Sequence, residues 1–293
     1  MEPPKPEHYQ TLIELAKQED LAGGDITSKV TIGADQAGAG KVVFREDGVL
    51  CGMPVVAEVL RYYNKKLVMK NVKPDGTFMP AGTVATTIRG PLRSLLASER
   101  VLLNFLQRLS GIATQTAQFV EAIHGTRAKI YDTRKTTPGW RALEKYAVRC
   151  GGGCNHRQGL YDAVLIKDNH LVNVSSGSLK EQLAAAIAAL QEHSAHPAFI
   201  EVEADTLEQL AEALHVKEVD IVLLDNMPPV KLSEAVALRD RICSGREVEL
   251  EASGGITLET VRAIAETGVE RISVGALTHS VRSLDIGLDR DSE

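Results

Sequence analysis

The sequence of 293 residues lacks any apolar run of about 18 residues, the length that a membrane-spanning helix needs. It begins M-E-P-P-K-P, so it also lacks the basic stretch and apolar segment of a secretory leader. With 44% hydrophobic and 25% charged residues, its composition is that of an ordinary globular protein. We therefore expect a cytoplasmic protein with no membrane partner.

Cysteines are few. The chain has four, and no two of them form a C-x-x-C pair. Cys150 and Cys154 lie near His156 in the sequence, but their spacing is not that of a zinc site, so we expect reduced, structural thiols. The sequence also shows no Ser–His–acid or Cys–His arrangement, which disfavours a covalent mechanism.

Basic charge is scarce over most of the chain and concentrated in one stretch. Residues 127–170 hold nine Lys and Arg against four Asp and Glu, whereas the rest holds 24 basic against 35 acidic residues. Such a basic island attracts a small polyanion, while a nucleic-acid-binding protein usually carries its basic excess over a whole face. A solvated basic helix surface is the alternative. The basic residues at 134–135, 156–157 and 167 stand beside turn signals, which favours a binding role and no nucleic-acid partner.

The first 90 residues have the pattern of an α+β unit. We predict a helix over residues 8–21 that stops at Gly23 and Gly24, followed by an extended segment over residues 25–28. Short strands rich in Val, Thr and Ile are expected within residues 38–51 and 66–89, with a short helix between them.

The longest helical pattern covers residues 94–123, and its apolar surface is too wide for a single stripe. It must be packed on more than one side, and a subunit interface is the simplest explanation. Taken alone, Arg100 and Arg108 on this helix are interpreted as solvated or ion-paired.

From residue 128 onward short apolar runs alternate with helices, which indicates a parallel sheet with helices outside it. Strands are predicted at residues 129–131, 163–166, 199–202, 221–224, 248–251 and 271–274. Six strands are fewer than a complete barrel has. The predicted fold class is therefore α/β, an incomplete (β/α) barrel of parallel strands with an N-terminal α+β sandwich domain. The predicted domains are residues 1–114, with the long interface helix, and residues 115–293, whose last residues pack back on the N-terminal domain.

In a parallel barrel the chemistry gathers where the strands end. The residues at the predicted strand ends are Asp132, Lys167, Glu203, Asp225, Ser253 and Gly275. Glu203 and Asp225 end neighbouring strands, so their carboxylates can face one cavity and hold Mg²⁺, directly or through water, or ribose hydroxyls. A salt bridge to the basic island is the alternative for each. Glu201 points the same way as Glu203 but lies deeper in the predicted barrel.

Glycines at the last two strand ends indicate a phosphate site. Ser253, Gly254 and Gly255 follow one predicted strand, and Gly275 follows the next. Glycines let backbone N–H groups approach an anion closely, and the helix that follows adds partial positive charge. A purely structural turn is the alternative.

Six short motifs occur in this order: T-R-K-T-T-P-G, H-R-x-G-L-Y-D, I-K-D-N-H, I-E-V-E, L-L-D-N and E-A-S-G-G-I. Together they resemble the quinolinate phosphoribosyltransferase family. The resemblance extends to E-D-L-x-x-G-D-I-T-S at residues 19–28 and to S-E-R-V-x-L-N-x-L-x-x-x-S-G-I-A-T at residues 98–114, so it covers nearly the whole chain. One local departure, Ala22 where a glycine is common, lies outside the charged positions.

The resemblance implies transfer of a phosphoribosyl group from phosphoribosyl pyrophosphate to the ring nitrogen of quinolinate, with Mg²⁺ as cofactor and with loss of carbon dioxide and pyrophosphate. The product would be nicotinate mononucleotide, on the route to NAD. It also implies a homodimer, open to higher assembly, in which the N-terminal domain of one subunit covers the barrel of the other. Arg100 would then reach across the interface, which replaces its first interpretation.

The motifs also carry over residue roles. Arg134, His156 and Arg157, with Arg100 from a second subunit, would clamp the two carboxylates of quinolinate, because guanidinium forks suit carboxylates. Lys135 and Lys167 would contact phosphate and pyrophosphate groups, with Thr136 as a further substrate-binding residue. Glu203 and Asp225 would contact ribose and metal. The residues implied to contact phosphate are Ser253, Gly254, Gly255, Gly275, Ala276 and Leu277. The predicted catalytic residues are Lys135, Lys167, Glu203 and Asp225, none with an acid–base role.

Two rival interpretations stay open at the level of the sequence. A paralogous phosphoribosyltransferase acting on another acceptor would share the phosphate-side residues, although the set of Arg100, Arg134, His156 and Arg157 argues for a dicarboxylate. The second rival is a barrel that has lost its catalytic activity and serves as a metabolite-binding or structural protein. The complete set of polar residues at the predicted strand ends argues against it.

Overall fold

The computed structural model describes residues 2–171, 178–192 and 196–290. The chain forms two compact units. The N-terminal unit comprises Met1–Ala117, Lys135–Gly153 and Ala276–Glu293, and the sheet unit comprises Gln118–Arg134 and Cys154–Gly275. Each unit is thus built from separate stretches of chain. The predicted boundary between residues 114 and 115 stays a prediction, close to the end of the first stretch.

The described elements, in chain order, begin with a 3-10 turn at Pro6–His8. The helices are α1 Gln10–Leu21, α2 Ile26–Thr31, α3 Met53–Tyr63, α4 Leu92–Ala122, α5 Arg141–Cys150, α6 Asp168–Leu171, α7 Leu179–Glu192, α8 Leu207–Leu214, α9 Pro229–Ile242, α10 Leu258–Ala265 and α11 Ala276–His279. The strands are β1 Ala37–Phe44, β2 Gly48–Val49, β3 Val68–Lys70, β4 Phe78–Met79, β5 Val84–Pro91, β6 Lys129–Tyr131, β7 Val164–Ile166, β8 Ile200–Ala204, β9 Ile221–Asp225, β10 Glu249–Ser253, β11 Arg271–Ser273 and β12 Ile286–Arg290.

The N-terminal unit contains an antiparallel sheet of four strands in the order β12-β1-β5-β3, and a pair formed by β2 and β4. Strand β1 lies between β5 and β12, with Val42 opposite both Thr86 and Leu288. Val42 and Phe44 of this strand are fully buried. The last described residues of the chain therefore complete the sheet that the first strand begins.

Helix α1 ends at Leu21, as predicted, but the segment after it is not extended. Residues 26–31 form α2, and Asp25 caps its N-terminus by accepting a hydrogen bond from the backbone N–H of Ser28 at 2.9 Å. The prediction of an extended segment over residues 25–28 is wrong. Asp25-Ile26-Thr27-Ser28 is a helix start, because an aspartate that precedes the first turn satisfies an otherwise unpaired N–H group.

Asp75 fixes the start of α3 from a distant turn. Its two carboxylate oxygens accept the backbone N–H groups of Gly52 at 2.9 Å and Met53 at 3.1 Å, and one of them also accepts the hydroxyl of Tyr146 at 2.8 Å. A negative charge at this end complements the helix dipole. Burial raises the pKa of Asp75.

Helix α4 is buried on a wide surface, as its sequence predicts, with Leu102, Leu106, Leu109 and Ile112 fully buried. Small polar side chains on the helix bind neighbouring backbone. The hydroxyl of Ser110 accepts the N–H of Cys51 at 3.0 Å.

The sheet unit contains six parallel strands in the order β6-β11-β10-β9-β8-β7. The first strand of this unit thus lies next to the last, and β6 and β7 form the two edges. Beyond β6 the chain makes a single parallel bridge between Tyr131 and Cys154. This arrangement confirms the predicted fold class of an incomplete (β/α) barrel with an N-terminal α+β part. Across the described ranges, every helix is too short or too polar to cross a bilayer.

Helix α5 and strand β12 are among the elements that the sequence patterns did not predict. Helix α5 falls inside the basic island, and it is buried all round, because residues 143–148 and Cys150 are buried. Strand β12 is short and alternates only weakly in burial, so its sequence pattern alone carries little signal.

Candidate active site

Lys167 and Glu203 form an ion pair at one end of the parallel sheet. Lys167 follows β7 directly, and Glu203 lies on β8, which pairs with β7. The ammonium Nζ of Lys167 donates to Oε2 of Glu203, and the two side chains are 37% and 12% exposed. The alternative of a salt bridge between Glu203 and the basic island is thus the arrangement that the structure has.

Asp225 ends β9, the strand next to β8. Its side chain is half-buried, and its Oδ2 accepts the amide of Asn226 at 2.7 Å. It lines a cavity of about 280 Å³ together with Asp205, Thr206 and Lys231. Glu203 and Asp225 therefore lie at or near the carboxyl ends of neighbouring parallel strands, on the same side of the sheet.

The turn after β10 requires its glycines. Gly254 has φ +100° and Gly255 φ +60°, backbone conformations that favour glycine. A Cβ at Gly254 would lie 2.1 Å from Oδ1 of Asn226, so a larger residue would force Asn226 or the turn to move. Asn226 in turn donates its N–H to the carbonyl of Ser253 at 2.9 Å. The turn exposes the backbone of both glycines and leads into α10.

His156 and Arg157 lie on the loop that precedes β7, and buried Asp132 orients it. Oδ1 of Asp132 accepts the backbone N–H of His156 at 2.8 Å, and its Oδ2 accepts the amide of Asn155 at 2.6 Å. Arg157 is half-buried, and burial, followed by the nearby charge of Arg134, lowers the pKa of its guanidinium. The two positive charges repel each other, and a bound anion would relieve this repulsion.

Beneath this loop the interior of the sheet unit is polar. Glu201, Glu251, Arg271 and His156 are all buried, although such interiors usually hold branched aliphatic side chains. Nε2 of His156 lies 2.8 Å from Glu201 and 3.5 Å from Glu251. Nε of Arg271 donates to Glu251 at 2.7 Å, and its guanidinium stacks on the ring of Tyr131, 3.8 Å from the centroid.

Two acids and one arginine leave this cluster one negative charge in excess. Burial is the main cause that raises the pKa of Glu201 to about 7, and it also raises the pKa of Glu251. The positive charge of Arg271 opposes both pKa shifts. Because burial penalises the charged form, both carboxyl groups bind a proton more readily here than in water.

His156, Glu201 and Glu251 also have the composition of a metal site, because their ligand atoms lie within 4.8 Å of one another. The tautomer of His156 argues against that interpretation. Its Nδ1 accepts the backbone N–H of Arg157 at 2.7 Å, so a neutral ring carries its proton on Nε2, the nitrogen that faces the carboxylates. A proton therefore occupies the direction that a metal ion would need.

The other cluster of potential ligands is Cys51, Asp75 and Cys150 in the N-terminal unit. Burial raises the pKa of the Cys51 thiol well above its ordinary value, and both oxygens of Asp75 already accept hydrogen bonds. This chemistry fits structural thiols next to a helix cap, and all four cysteines are free.

The remaining predicted site residues belong to the N-terminal unit, except Gly275, which is the last residue of the sheet unit. Lys135 is exposed and Thr136 is half-buried at the start of the loop before α5. Ala276 and Leu277 begin α11. Arg100 is exposed on α4 and lines a cavity of about 560 Å³.

Comparison with known proteins covers both parts of the chain. Residues 25–110 match the model described as "Quinolinate phosphoribosyl transferase, N-terminal domain", and residues 112–289 match the corresponding C-terminal domain. The chain belongs to the quinolinate phosphoribosyltransferase family. Its predicted family and enzyme class are thereby confirmed.

Individual relatives agree over almost the whole length. A nicotinate-nucleotide pyrophosphorylase [carboxylating] of Mycobacterium leprae is 47% identical over 94% of this chain and 95% of its own. A protein of Bacillus subtilis named a probable nicotinate-nucleotide pyrophosphorylase [carboxylating] is 43% identical over 92% of this chain and 89% of its own. The solved structure of the nicotinate-nucleotide pyrophosphorylase of Francisella tularensis is 37% identical, covers 98% of each chain and has a TM-score of 0.88.

Reasoning from sequence missed part of what surrounds the candidate site of this phosphoribosyltransferase. Glu251 and Arg271 were not singled out, and Glu201 was noted only as lying deeper than Glu203. A signal was present in the patterns E-V-E at residues 201–203 and E-L-E at residues 249–251. Alternate residues of a strand point to one face, so two acids spaced by two in a predicted inner strand mark a polar interior.

Proposed function

We infer that the protein transfers the phosphoribosyl group of phosphoribosyl pyrophosphate to quinolinate with decarboxylation. The reaction yields nicotinate mononucleotide, pyrophosphate and carbon dioxide in de novo NAD biosynthesis. The observation that carries this conclusion is the match to both family domains over nearly the whole chain. The polar groups at the strand ends of the sheet unit support it.

Binding of quinolinate is assigned to Arg134, His156 and Arg157, with Arg100 from a second subunit. The mutual repulsion of Arg134 and Arg157 supports this part of the proposal, because two facing carboxylates would neutralise both charges. Planar guanidinium groups also orient the pyridine ring, since each can bind both oxygens of a carboxylate.

Binding of phosphoribosyl pyrophosphate is assigned to the lysines and the glycine turns. Lys135 and Lys167, with Thr136, would contact phosphate and pyrophosphate groups. The backbone N–H groups of Ser253, Gly254 and Gly255, and of Gly275, Ala276 and Leu277, would contact the phosphate of the ribose. The lack of side chains at Gly254 and Gly255 supports this role, because it leaves their backbone exposed.

We propose Glu203 and Asp225 as the residues that hold Mg²⁺, directly or through water, and that contact the ribose hydroxyls. The donor set fits, because both are carboxylates on adjacent parallel strands and Mg²⁺ prefers oxygen ligands while it keeps several waters. The bound ion would supply positive charge to the departing pyrophosphate oxygens. Isothermal titration with Mg²⁺ and phosphoribosyl pyrophosphate tests this assignment, and Asp225→Asn is expected to weaken the binding that depends on Mg²⁺.

The chemistry follows from charge. Positive charge develops on the ribose ring as pyrophosphate leaves, so the protein must hold donor and acceptor in line while Lys135 and Lys167 stabilise the leaving oxygens. Carbon dioxide then departs and leaves the electron pair of the broken bond on the ring carbon next to the positive pyridinium nitrogen, which stabilises the pair, and this carbon takes up a proton from water. That step needs no general base.

The decisive experiment measures carbon dioxide and pyrophosphate release from purified protein with Mg²⁺, phosphoribosyl pyrophosphate and either quinolinate or nicotinate. We expect equal release of both products with quinolinate alone. Pyrophosphate release without carbon dioxide would favour a paralogous transferase, and release of neither product by folded protein would favour a binding protein. Lys167→Ala and Arg134→Ala are expected to fold and to lose most turnover.

We further propose a cytoplasmic homodimer. Exposed apolar side chains of the N-terminal unit support an interface there, among them Leu15 at 57%, Ile26 at 77% and Val30 at 78% exposed. The free cysteines support a reducing compartment. Sedimentation equilibrium measures the assembly, including any larger than a dimer, and cell fractionation measures the location.

A further inference from the structure

Arg108 and Glu144 form a partly buried ion pair within the N-terminal unit, between α4 and α5. The guanidinium of Arg108 donates to Oε1 of Glu144 through Nε at 3.0 Å and through Nη2 at 2.6 Å. Glu144 is fully buried, and Arg108 is 27% exposed. The interpretation of Arg108 as ion-paired is confirmed, but the pair does more than join two helices.

The same two side chains hold the loop that carries Lys135 and Thr136. The other oxygen of Glu144, Oε2, accepts the backbone N–H of Thr137 at 3.0 Å. Nη2 of Arg108 donates to the hydroxyl of Thr137 at 2.7 Å. Thr137 is thus held at its backbone and at its side chain.

A second contact holds this loop from α11. The hydroxyl of buried Thr278 donates to the carbonyl of Lys135 at 2.7 Å. Nη2 of Arg108 also lies 3.4 Å from the carbonyl of Thr278. One guanidinium therefore contacts both segments of the N-terminal unit that carry predicted phosphate-binding residues, the loop with Lys135 and the helix that starts at Ala276.

Charge alone does not explain this geometry. A buried ion pair contributes little net stability compared with a well-packed apolar pair, because desolvation of both groups offsets their attraction. Besides the ion pair, the side chains of Arg108 and Glu144 form hydrogen bonds with the backbone and hydroxyl of Thr137 and with a carbonyl of α11. The contacts therefore define the loop conformation, and with it the direction in which Lys135 is presented.

We propose that Arg108 and Glu144 are positioning residues for phosphoribosyl pyrophosphate, acting through Lys135, Thr136 and the start of α11. This inference rests on the proposed function. It assigns the pair to the phosphate side of the reaction, whereas binding of quinolinate is assigned to other side chains.

The test compares Arg108→Lys, Glu144→Gln and Thr278→Val with the wild type. Arg108→Lys keeps the positive charge but loses the planar guanidinium group that donates several hydrogen bonds. Thr278→Val keeps the shape of the side chain but removes the hydroxyl that donates to the carbonyl of Lys135. We expect KM for phosphoribosyl pyrophosphate to rise by about tenfold or more, since small misplacements of binding groups cost about that much or more. KM for quinolinate is expected to change by less than about twofold. Thr278→Val leaves the ion pair intact, so it reports on the loop even if the charged variants fold poorly.

A double variant separates positioning from stability. Arg108→Met with Glu144→Leu replaces the ion pair by apolar side chains, which often restores stability in such sites. We expect its melting temperature to approach that of the wild type while KM for phosphoribosyl pyrophosphate stays raised, because neither new side chain can hold Thr137. Arg239→Lys is the matched control, since Arg239 is 8% exposed and paired with Glu270 at 3.1 Å. It is expected to lower the melting temperature without changing either KM.

The outcomes separate this inference from the proposed function. Active wild type with an unchanged KM for phosphoribosyl pyrophosphate in the three single variants overturns the positioning role alone. So does an equal rise of both KM values, or a double variant that regains substrate affinity together with stability. A folded wild type that releases no carbon dioxide from quinolinate overturns the proposed function instead.

Discussion

The carboxyl group of Glu201 lies in the interior of the sheet unit, where burial raises its pKa from the ordinary 4.5 to about 7. Between these two values the folded protein holds a proton that the unfolded chain has lost, so stability falls as pH rises through this window. The contribution is complete below the unfolded pKa and absent above about pH 7. Its size is on the order of 3 kcal/mol, at about 1.4 kcal/mol per pKa unit.

Glu201→Gln should remove this part of the pH dependence, because glutamine is neutral at every pH. Urea unfolding at about pH 5 and about pH 8 gives the free energy of unfolding at both sides of the window. The loss of stability between the two conditions should be smaller in the variant than in the wild type by on the order of 3 kcal/mol. An equal loss in both proteins would show that Glu201 does not hold the extra proton.

Gly254 is required both by its backbone conformation and by the crowding of Asn226. We expect Gly254→Ala to lower the free energy of unfolding by about 1–3 kcal/mol and to raise KM for phosphoribosyl pyrophosphate, because the turn must move. Gly125→Ala is the control, since Gly125 has a similar φ of +83° and a Cβ added there would meet no atom within 4 Å. That control should lose stability alone. Chemical denaturation and initial rates distinguish the two variants.

At the scale of elements, β12 shows what a short pattern conceals. Its residues pair with β1 in an antiparallel register from Ile286 opposite Phe44 to Arg290 opposite Gly40. Without β12, β1 would expose a row of unpaired backbone groups as an edge strand. Five residues whose burial alternates only weakly do not by themselves predict a strand that covers β1. Their partner strand lies more than 200 residues earlier in the chain.

Ile286→Ala should therefore destabilise the N-terminal unit. Ile286 is 1% exposed, and removal of a buried isoleucine side chain costs about 2–5 kcal/mol. Asp289→Ala on the same strand is the control, because its partner Arg45 is exposed and such surface pairs contribute little. Thermal unfolding compares the two. Similar melting temperatures for both variants would argue against a structural role of β12.

In helix α5 the sequence pattern was conspicuous, but it indicated the wrong environment for the charged side chains. Its basic residues made residues 141–150 look like part of an exposed binding island, yet Lys145 and Glu144 are buried with the apolar residues around them. A charged side chain in a helix is exposed or buried according to what packs on that face. For Glu144 this is Arg108, which is 36 residues away.

At the scale of the whole molecule, the proposed dimer predicts that two inactive variants can restore activity when mixed, which a monomer could not do. Arg100→Ala should damage the site of the neighbouring subunit, while Lys167→Ala damages its own. In a mixed dimer both lesions fall on one site and the other stays intact. Equal mixing of the two inactive variants should therefore restore about a quarter of wild-type activity in a two-fold symmetric assembly.

The control for this complementation is a mixture of Lys167→Ala with Glu203→Gln, because both changes then fall on the subunit's own site and every site carries one lesion. This mixture should stay inactive. Recovery by the control, or none by the Arg100→Ala mixture after confirmed subunit exchange, would contradict a site shared between subunits.

Sequence patterns were sufficient to predict the family, the six parallel strands from residue 128 onward with four of the helices between them, and the polar residues at the strand ends. These features are local, because strand and helix periodicity and short motifs are written in neighbouring residues. The helix start at Asp25 was equally local, and the error there was one of interpretation. The rule that parallel strands have their carboxyl ends on the same side of a sheet predicted that Lys167, Glu203 and Asp225 lie near one another.

The tertiary structure alone shows which charged side chains are buried and which segments they hold in place. The cluster of His156, Glu201, Glu251 and Arg271 forms because the strands and the loop that carry them meet in one interior. The pair of Arg108 and Glu144 becomes a support for Lys135 because α4, α5 and α11 converge on one loop. Contacts between residues far apart in the chain depend on how the backbone packs, and no local pattern contains that information.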